Sequence, residues 1–243
     1  MNNRVNFMNK YEINMEYFDF FNEKTVNLLE TNIKKIKVKK FYPEEKNIFS
    51  ALSTPISGIK VAILGQDPYF QEGAATGLAF EVGTLFSFTE PFPQRSLQNI
   101  IRVIYKSYCD DLKLFSKIRD EISYSEFKIL PPDTLFKSWK TQGVLLLNSY
   151  LTVESLSGEN SGTSHKEYWD EFSKELISYI SEKNKNIIYF LWGAHAQKYE
   201  KFITGGTVYK CNHPAMAFGK TEKDFLLFQG FEKTKNLIQW KGI

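Results

Sequence analysis

Two short runs place a reactive side chain directly before a proline. In Gly65-Gln66-Asp67-Pro68-Tyr69 a carboxylate sits on a turn that Gly65 frees and Pro68 restricts, so Asp67 is held rather than floppy. In Asn212-His213-Pro214 an imidazole has the same form. A fixed carboxylate and a fixed imidazole suit acid–base or electrostatic catalysis. Each also has a plainer reading, an Asx turn for Asp67 and a partly buried, backbone-bonded histidine for His213. Asn148, closing the run GVLLLN, offers an amide donor and an acceptor, or is simply a turn residue.

Something must bring these groups together, and the hydrophobic pattern says what. Short apolar runs bounded by turn residues occur at Val61 to Leu64, from Gly77 (GLAFEV), from Gly143 (GVLLLN), from Asn186 (NIIYFLWG) and from Thr207 (TVYKC). Several are apolar on consecutive residues, which suits strands covered on both faces. Helical spacing lies between them, at Leu97, Ile100, Ile101 and Ile104 and again at Trp169, Phe172, Leu176, Ile177 and Ile180. The pattern predicts an α/β protein: a central, mainly parallel sheet of four to five strands with helices on both faces. In such sheets working residues cluster past the carboxyl ends of the strands. GQDPY, Asn148, LWGAHAQK and Asn212-His213-Pro214 each follow a strand, so four strand ends present polar groups to one cleft.

Ahead of the sheet, Phe18, Phe21, Leu28, Leu29, Ile33 and Ile36 fall on one face at helical spacing and end in a lysine-rich stretch, Lys34 to Lys40. That stretch reads as a solvated helix end or as a patch facing nucleic acid. The 243 residues are 42% hydrophobic and 24% charged, which excludes disorder, collagen and coiled coil. No linker and no internal repeat divides them, so one domain is expected, with residues 1–38 as a helical extension packed on it. No apolar run approaches the ~20 residues of a membrane helix and no signal peptide is evident, which leads to an expected intracellular, cytoplasmic location, or a nuclear one in a eukaryotic host. Cys109 and Cys211 are far apart without a CxxC pair and are expected to be buried, reduced thiols. A net charge of +3 permits a polyanionic partner without pointing to one.

The stretch KKFYPEEKNIFSALSTPISGIKVAILGQDPY resembles the uracil-DNA glycosylase family of the GQDPY type, and LLLNSYLTV, SHKEYWDEF, LWGAHAQK and NHP recur in that family's order. The likeness runs from about Lys39 to the C-terminus. It implies an enzyme that extrudes uracil from DNA and hydrolyses its N-glycosidic bond, leaving an abasic site and free uracil. Bond cleavage puts cationic character on the sugar and negative charge on the departing base. The resemblance assigns Asp67 to the sugar cation and the attacking water, and His213, preferably neutral, to the uracil oxyanion. It assigns Asn148 to the base edge, Phe80 to stacking on the base, Tyr69 to blocking thymine's methyl, and Gln66 to a contact through its backbone N–H, its side chain mattering less. Ser96 matches a phosphate donor and also reads as a helix N-cap, with Arg95 adding charge beside it. His165 matches a position near the catalytic carboxylate, a supporting residue rather than a catalyst. No metal and no organic cofactor is expected. The expected partner is uracil-containing DNA, single- or double-stranded, with a uracil-glycosylase inhibitor protein or a replication factor as further candidates, and the chain is expected to be a monomer.

The sequence departs from the family after the histidine. HPSPLS becomes His213-Pro214-Ala215-Met216-Ala217-Phe218, so Ala215 lacks a hydroxyl for phosphate and Ala217 stands where an apolar wedge enters the minor groove. Met216 or Phe218 is the candidate substitute, and Pro214, Ala215, Met216 and Phe218 are candidate DNA contacts. Ala194 replaces a common serine, Phe70 a common histidine. Residues 110–132 and 154–164 look longer than the family minimum, the second stretch lying beside the active-site loops. Three other readings compete: a binding protein on this fold that has lost turnover, a glycosylase preferring single strands, and a small-molecule α/β enzyme. The last lacks any GxxxxGK[ST], GxGxxG or GxSxG run.

Overall fold

The computed structural model describes residues 3–155, 162–219 and 221–243; of the 154–164 stretch, residues 156–161 thus lie outside the description. Strands β1 (Phe41–Tyr42), β2 (Val61–Gly65), β3 (Val144–Asn148), β4 (Val153–Ser155), β5 (Gly162–Ser164), β6 (Ile188–Trp192) and β7 (Thr207–Cys211) form two sheets. The helices are α1 (Asn3–Lys10), α2 (Glu23–Ile36), α3 (Arg95–Cys109), α4 (Phe115–Ser123), α5 (Pro132–Thr141), α6 (Lys166–Lys183), α7 (Gly193–Gln197) and α8 (Gly230–Thr234). The main sheet has the order β3-β2-β6-β7 and is parallel throughout. All five residues of β2 and of β3 are buried, as strands covered on both faces require. The chain steps from β2 outward to β3, then crosses back through α6 to β6 on the other side. The order therefore reverses at β2, and the crevice beyond the ends of β2 and β6 is where such sheets bind ligands.

The two amphipathic patterns become α3 and α6, whose buried stripes include Leu97, Ile100, Ile101 and Ile104 and Trp169, Phe172, Leu176, Ile177 and Ile180. A small antiparallel sheet, β1-β4-β5, pairs Val153 with Ser164 and so fixes the residue that will meet Asp67. One core cluster runs from Phe7 to Trp240. Among the described residues no helix is long and apolar enough to cross a membrane.

Four expectations are corrected. GLAFEV is a turn, not a strand: Gly77 has φ +87° and Phe80 φ +67°, and the Ala79 N–H to the Leu146 carbonyl (3.1 Å) replaces a ladder. A Cβ on Gly77 would lie 2.0 Å from the Asn47 carbonyl oxygen, so the chain bends where only glycine fits. The leading helix begins only at Glu23, because Asn22 caps it by accepting the Thr25 N–H at 3.0 Å. Its inward stripe is Val26, Leu29, Ile33 and Ile36, while Leu28 is 54% exposed and Phe18 and Phe21 precede the helix. Cys109 is exposed and only Cys211 is buried. Ser96 is the second residue of α3 rather than its cap, which is Gln94. Beyond α2, Lys39 and Lys40 form ion pairs with Glu154 (2.9 Å) and Glu72 (3.3 Å). The longer 110–132 stretch contains α4, seated on the core through Ile118 and tied to α3 by the Tyr105 hydroxyl donating to Glu121 (2.7 Å).

Candidate active site

A cavity of about 140 Å³ opens at the carboxyl ends of the parallel strands. Gln66, Asp67, Tyr69, Phe80, Ser96, Asn148 and His213 all line it, drawn from five separate stretches of chain. Pockets for drug-sized ligands run roughly 300–1,000 Å³, so this one is scaled to a single small ring.

Register explains the amide. Gly65 pairs with Asn148 across β2 and β3, and a Cβ at Gly65 would lie 2.2 Å from Asn148 Oδ1. The glycine gives the amide its place. Asn148 is only 6% exposed, and among the described residues nothing in the protein hydrogen-bonds its side chain, which leaves donor and acceptor for an occupant.

Asp67 is gripped at both oxygens. Oδ1 accepts the Ser164 hydroxyl at the end of β5, and Oδ2 accepts Gln66 Nε2 at 3.0 Å. Burial raises its pKa, while these two hydrogen bonds and the nearby His165 pull it down. The Gln66 side chain thus has a part in the site that the sequence reading gave to its backbone. His165, at the start of α6, stands outside the cavity lining. Its Nδ1 is 2.9 Å from the Thr152 hydroxyl oxygen, which also accepts the Trp169 indole N–H at 2.7 Å.

His213 is set by its own loop. The Ala215 N–H donates to Nδ1 at 3.2 Å, so the proton of a neutral ring sits on Nε2. Burial lowers its pKa and favours that neutral form. Gly193, at φ +84°, lies so close that a Cβ would come within 2.8 Å of His213 Cβ. The Phe80 ring is 6.3 Å from the imidazole and 5.3 Å from Trp192. Positive φ at an aromatic residue costs of order 1–3 kcal/mol, and such strain concentrates at working sites. Burial likewise raises the Tyr69 phenol.

Beyond His213 the loop is fixed from below. Asn99 of α3 donates to the Pro214 carbonyl at 2.7 Å, and buried Asp224 accepts the Phe218 and Gly219 N–H groups, both at 2.8 Å. Met216 and Phe218 are 59% and 58% exposed, whereas Ala217 packs against the core. Arg95 is exposed in the first turn of α3. Sequence reasoning missed Ser164, Asn99 and Asp224. Ser164 opens the SHKEYWDEF motif and was there to be read; Asn99 and Asp224 carry no local signal, since their roles depend on a loop distant in sequence.

Known proteins resemble this chain in sequence and in fold. The uracil DNA glycosylase superfamily model matches residues 53–236. A uracil-DNA glycosylase of Aliivibrio salmonicida is 35% identical over 209 residues, covering 84% of this chain and 81% of its own, and one of Pseudomonas putida is 36% identical over 208 residues, covering 84% and 78%. Among solved structures, a mutant UNG of Nitratifractor salsuginis superposes with TM-score 0.72 over 99% of this chain and 97% of its own at 17% identity, a likeness of fold. A mimivirus UNG variant solved in complex with UGI gives TM-score 0.64 at 25% identity, over 89% of this chain and 73% of its own. The chain belongs to the uracil DNA glycosylase superfamily.

Proposed function

We propose that this protein excises uracil from DNA by hydrolysis, with the cavity receiving the base turned out of the strand. Water adds to the sugar carbon as the bond to the base nitrogen breaks, giving an abasic site and free uracil. Asp67, oriented by Ser164 and Gln66, holds the attacking water and offsets the positive charge that grows on the sugar. His213 donates Nε2–H to the oxygen on which the leaving base gathers negative charge. Asn148 pairs with the base edge, Phe80 stacks on its face, Tyr69 closes the space that thymine's methyl needs, and Gln66 adds a contact from its backbone. Arg95, Ser96 and the Pro214–Phe218 loop meet the DNA backbone, with His165 supporting Asp67 from behind. One observation carries the reading: a ring-sized cavity collects a carboxylate, a free amide and an imidazole whose only neutral proton is on Nε2.

The test uses matched single-stranded and duplex oligonucleotides bearing one uracil, with thymine and cytosine controls, in EDTA, followed by alkaline cleavage. Uracil-dependent product is expected, falling by about 10²–10³-fold in Asp67→Asn, the loss typical when a charge-stabilising group is removed. Absence of product from folded protein would leave a binding role on this scaffold. The loop favours a second reading within the same activity. Ala217 packs inward and offers no wedge, so extrusion from a duplex falls to Met216 or Phe218, and single strands are the preferred substrate. A large strand preference in the same assay supports it, and equal rates remove it. UGI is the protein partner to test first, given the mimivirus complex.

A further inference from the structure

Next to the base-reading amide lies a serine that serves no substrate. Ser149 is fully buried, and its hydroxyl oxygen meets three groups: the Gly65 carbonyl at 3.2 Å, the Gln66 carbonyl at 3.4 Å and His195 Nε2 at 2.7 Å. The proton order follows from chemistry. Carbonyl oxygens carry no proton, so a serine hydroxyl pointing its proton at the histidine would leave oxygen lone pairs facing two carbonyls. The hydroxyl proton therefore goes to the carbonyls, and His195 Nε2–H donates to the serine. Burial lowers the His195 pKa to about 4, so the ring is neutral at physiological pH.

The chain of donors crosses the switch crevice. His195 stands on α7, after β6, and the carbonyls it polarises through Ser149 belong to the last residue of β2 and to the residue bonded to Asp67. Three more contacts lock the same spot: the Ser149 N–H donates to the Gly65 carbonyl at 3.1 Å, the Tyr150 N–H donates to the Gln66 carbonyl at 2.9 Å, and Ser173 of α6 donates to the Ser149 carbonyl. A second cavity of about 200 Å³ lies against His195, His213, Gly65 and Gln66, so packing from that side does not itself hold the turn. We infer that His195 is a positioning residue for excision, holding the Gly65–Asp67 turn and the neighbouring Asn148 in register through the hydroxyl of Ser149. This rests on the reading of the cavity as the uracil-excising site.

Displacing reacting groups by about 1 Å costs on the order of 10²-fold in rate, so His195→Leu is expected to lower single-turnover excision by 10- to 100-fold with KM changed by less than about threefold. Side-chain geometry supplies a rescue test. A glutamine places its amide nitrogen where histidine Nε2 stood, and an asparagine places it nearer the Nδ1 position. His195→Gln should therefore recover most of the rate and His195→Asn should not. Because the effect passes through Ser149, adding His195→Leu to Ser149→Ala should cost less than about twofold more, a coupling that independent sites do not show. Rates that multiply in the double variant, or a Gln variant no better than Asn at equal thermal midpoints, overturn the inference. Those outcomes are read against wild-type turnover, so failure of the excision reading, which would silence wild type too, is distinguishable.

Discussion

Which nitrogen of His213 bears the proton decides what the ring does. With Nδ1 occupied by the Ala215 N–H, a neutral ring donates at Nε2, and gaining a second proton would break the loop contact. The burial that lowers its pKa from 6.5 keeps the donor uncharged through the neutral range. Asp67 shifts the other way, upward from 3.8, yet its hydrogen bonds restrain that rise. The neutral imidazole therefore prevails from pH 6.5 upward, and the hydrogen bonds to Asp67 favour its carboxylate form. The expected kcat/KM profile is flat above that pH and falls only on the acid side. A descending limb that begins above pH 6.5 would show instead that His213 works as a cation.

At the scale of elements, the pairing of β2 with β3 is what makes the base reader possible. Gly65→Ala puts a methyl 2.2 Å from Asn148 Oδ1, so the amide must rotate out of the cavity. We expect excision to fall by about 10²-fold, while the thermal midpoint moves little because β2 keeps its buried side chains. A variant with near wild-type rate would mean that Asn148 does not read the base. Much of this was legible: the four strand ends, the order of the motifs and Asp67, Asn148 and His213 all follow from runs a few residues long. The turn at Gly77–Phe80 was not, because an apolar run looks the same whether it pairs with a strand or folds over one, and only the closeness of Asn47 decides. Leu28 escaped for a similar reason, since the cap at Asn22 resets the helical phase that Phe18 and Phe21 suggested. The Ser149–His195 contact joins residues 46 apart, beyond any periodicity.

At the scale of the molecule, we propose one cooperative domain in which the N-terminal helices form the first layer. Phe7, Tyr11 and Phe21 pack on Phe49 with ring centroids 5.7, 5.0 and 6.1 Å apart, so the extension and the sheet share a core. Calorimetry should then give a single transition with matching calorimetric and van't Hoff enthalpies, and two resolved transitions would divide the chain. The pH dependence of its midpoint follows from the histidines. All three, His165, His195 and His213, have pKa values lowered by burial. The unfolded chain takes up protons below 6.5 that the folded one refuses, so stability is lost as pH falls from 6.5 toward the His195 value of about 4. The drop in midpoint should be smaller in His195→Gln; an equal drop would mean that His195 titrates normally in the fold. Trp139, Trp169 and Trp240 lie in the core away from the cavity, but the Trp192 indole touches Phe80, the ring on which a base would rest. Nature has thereby placed a fluorophore one ring away from the ligand, and its ultraviolet emission turns occupancy of the pocket into light that can be followed in real time without a label.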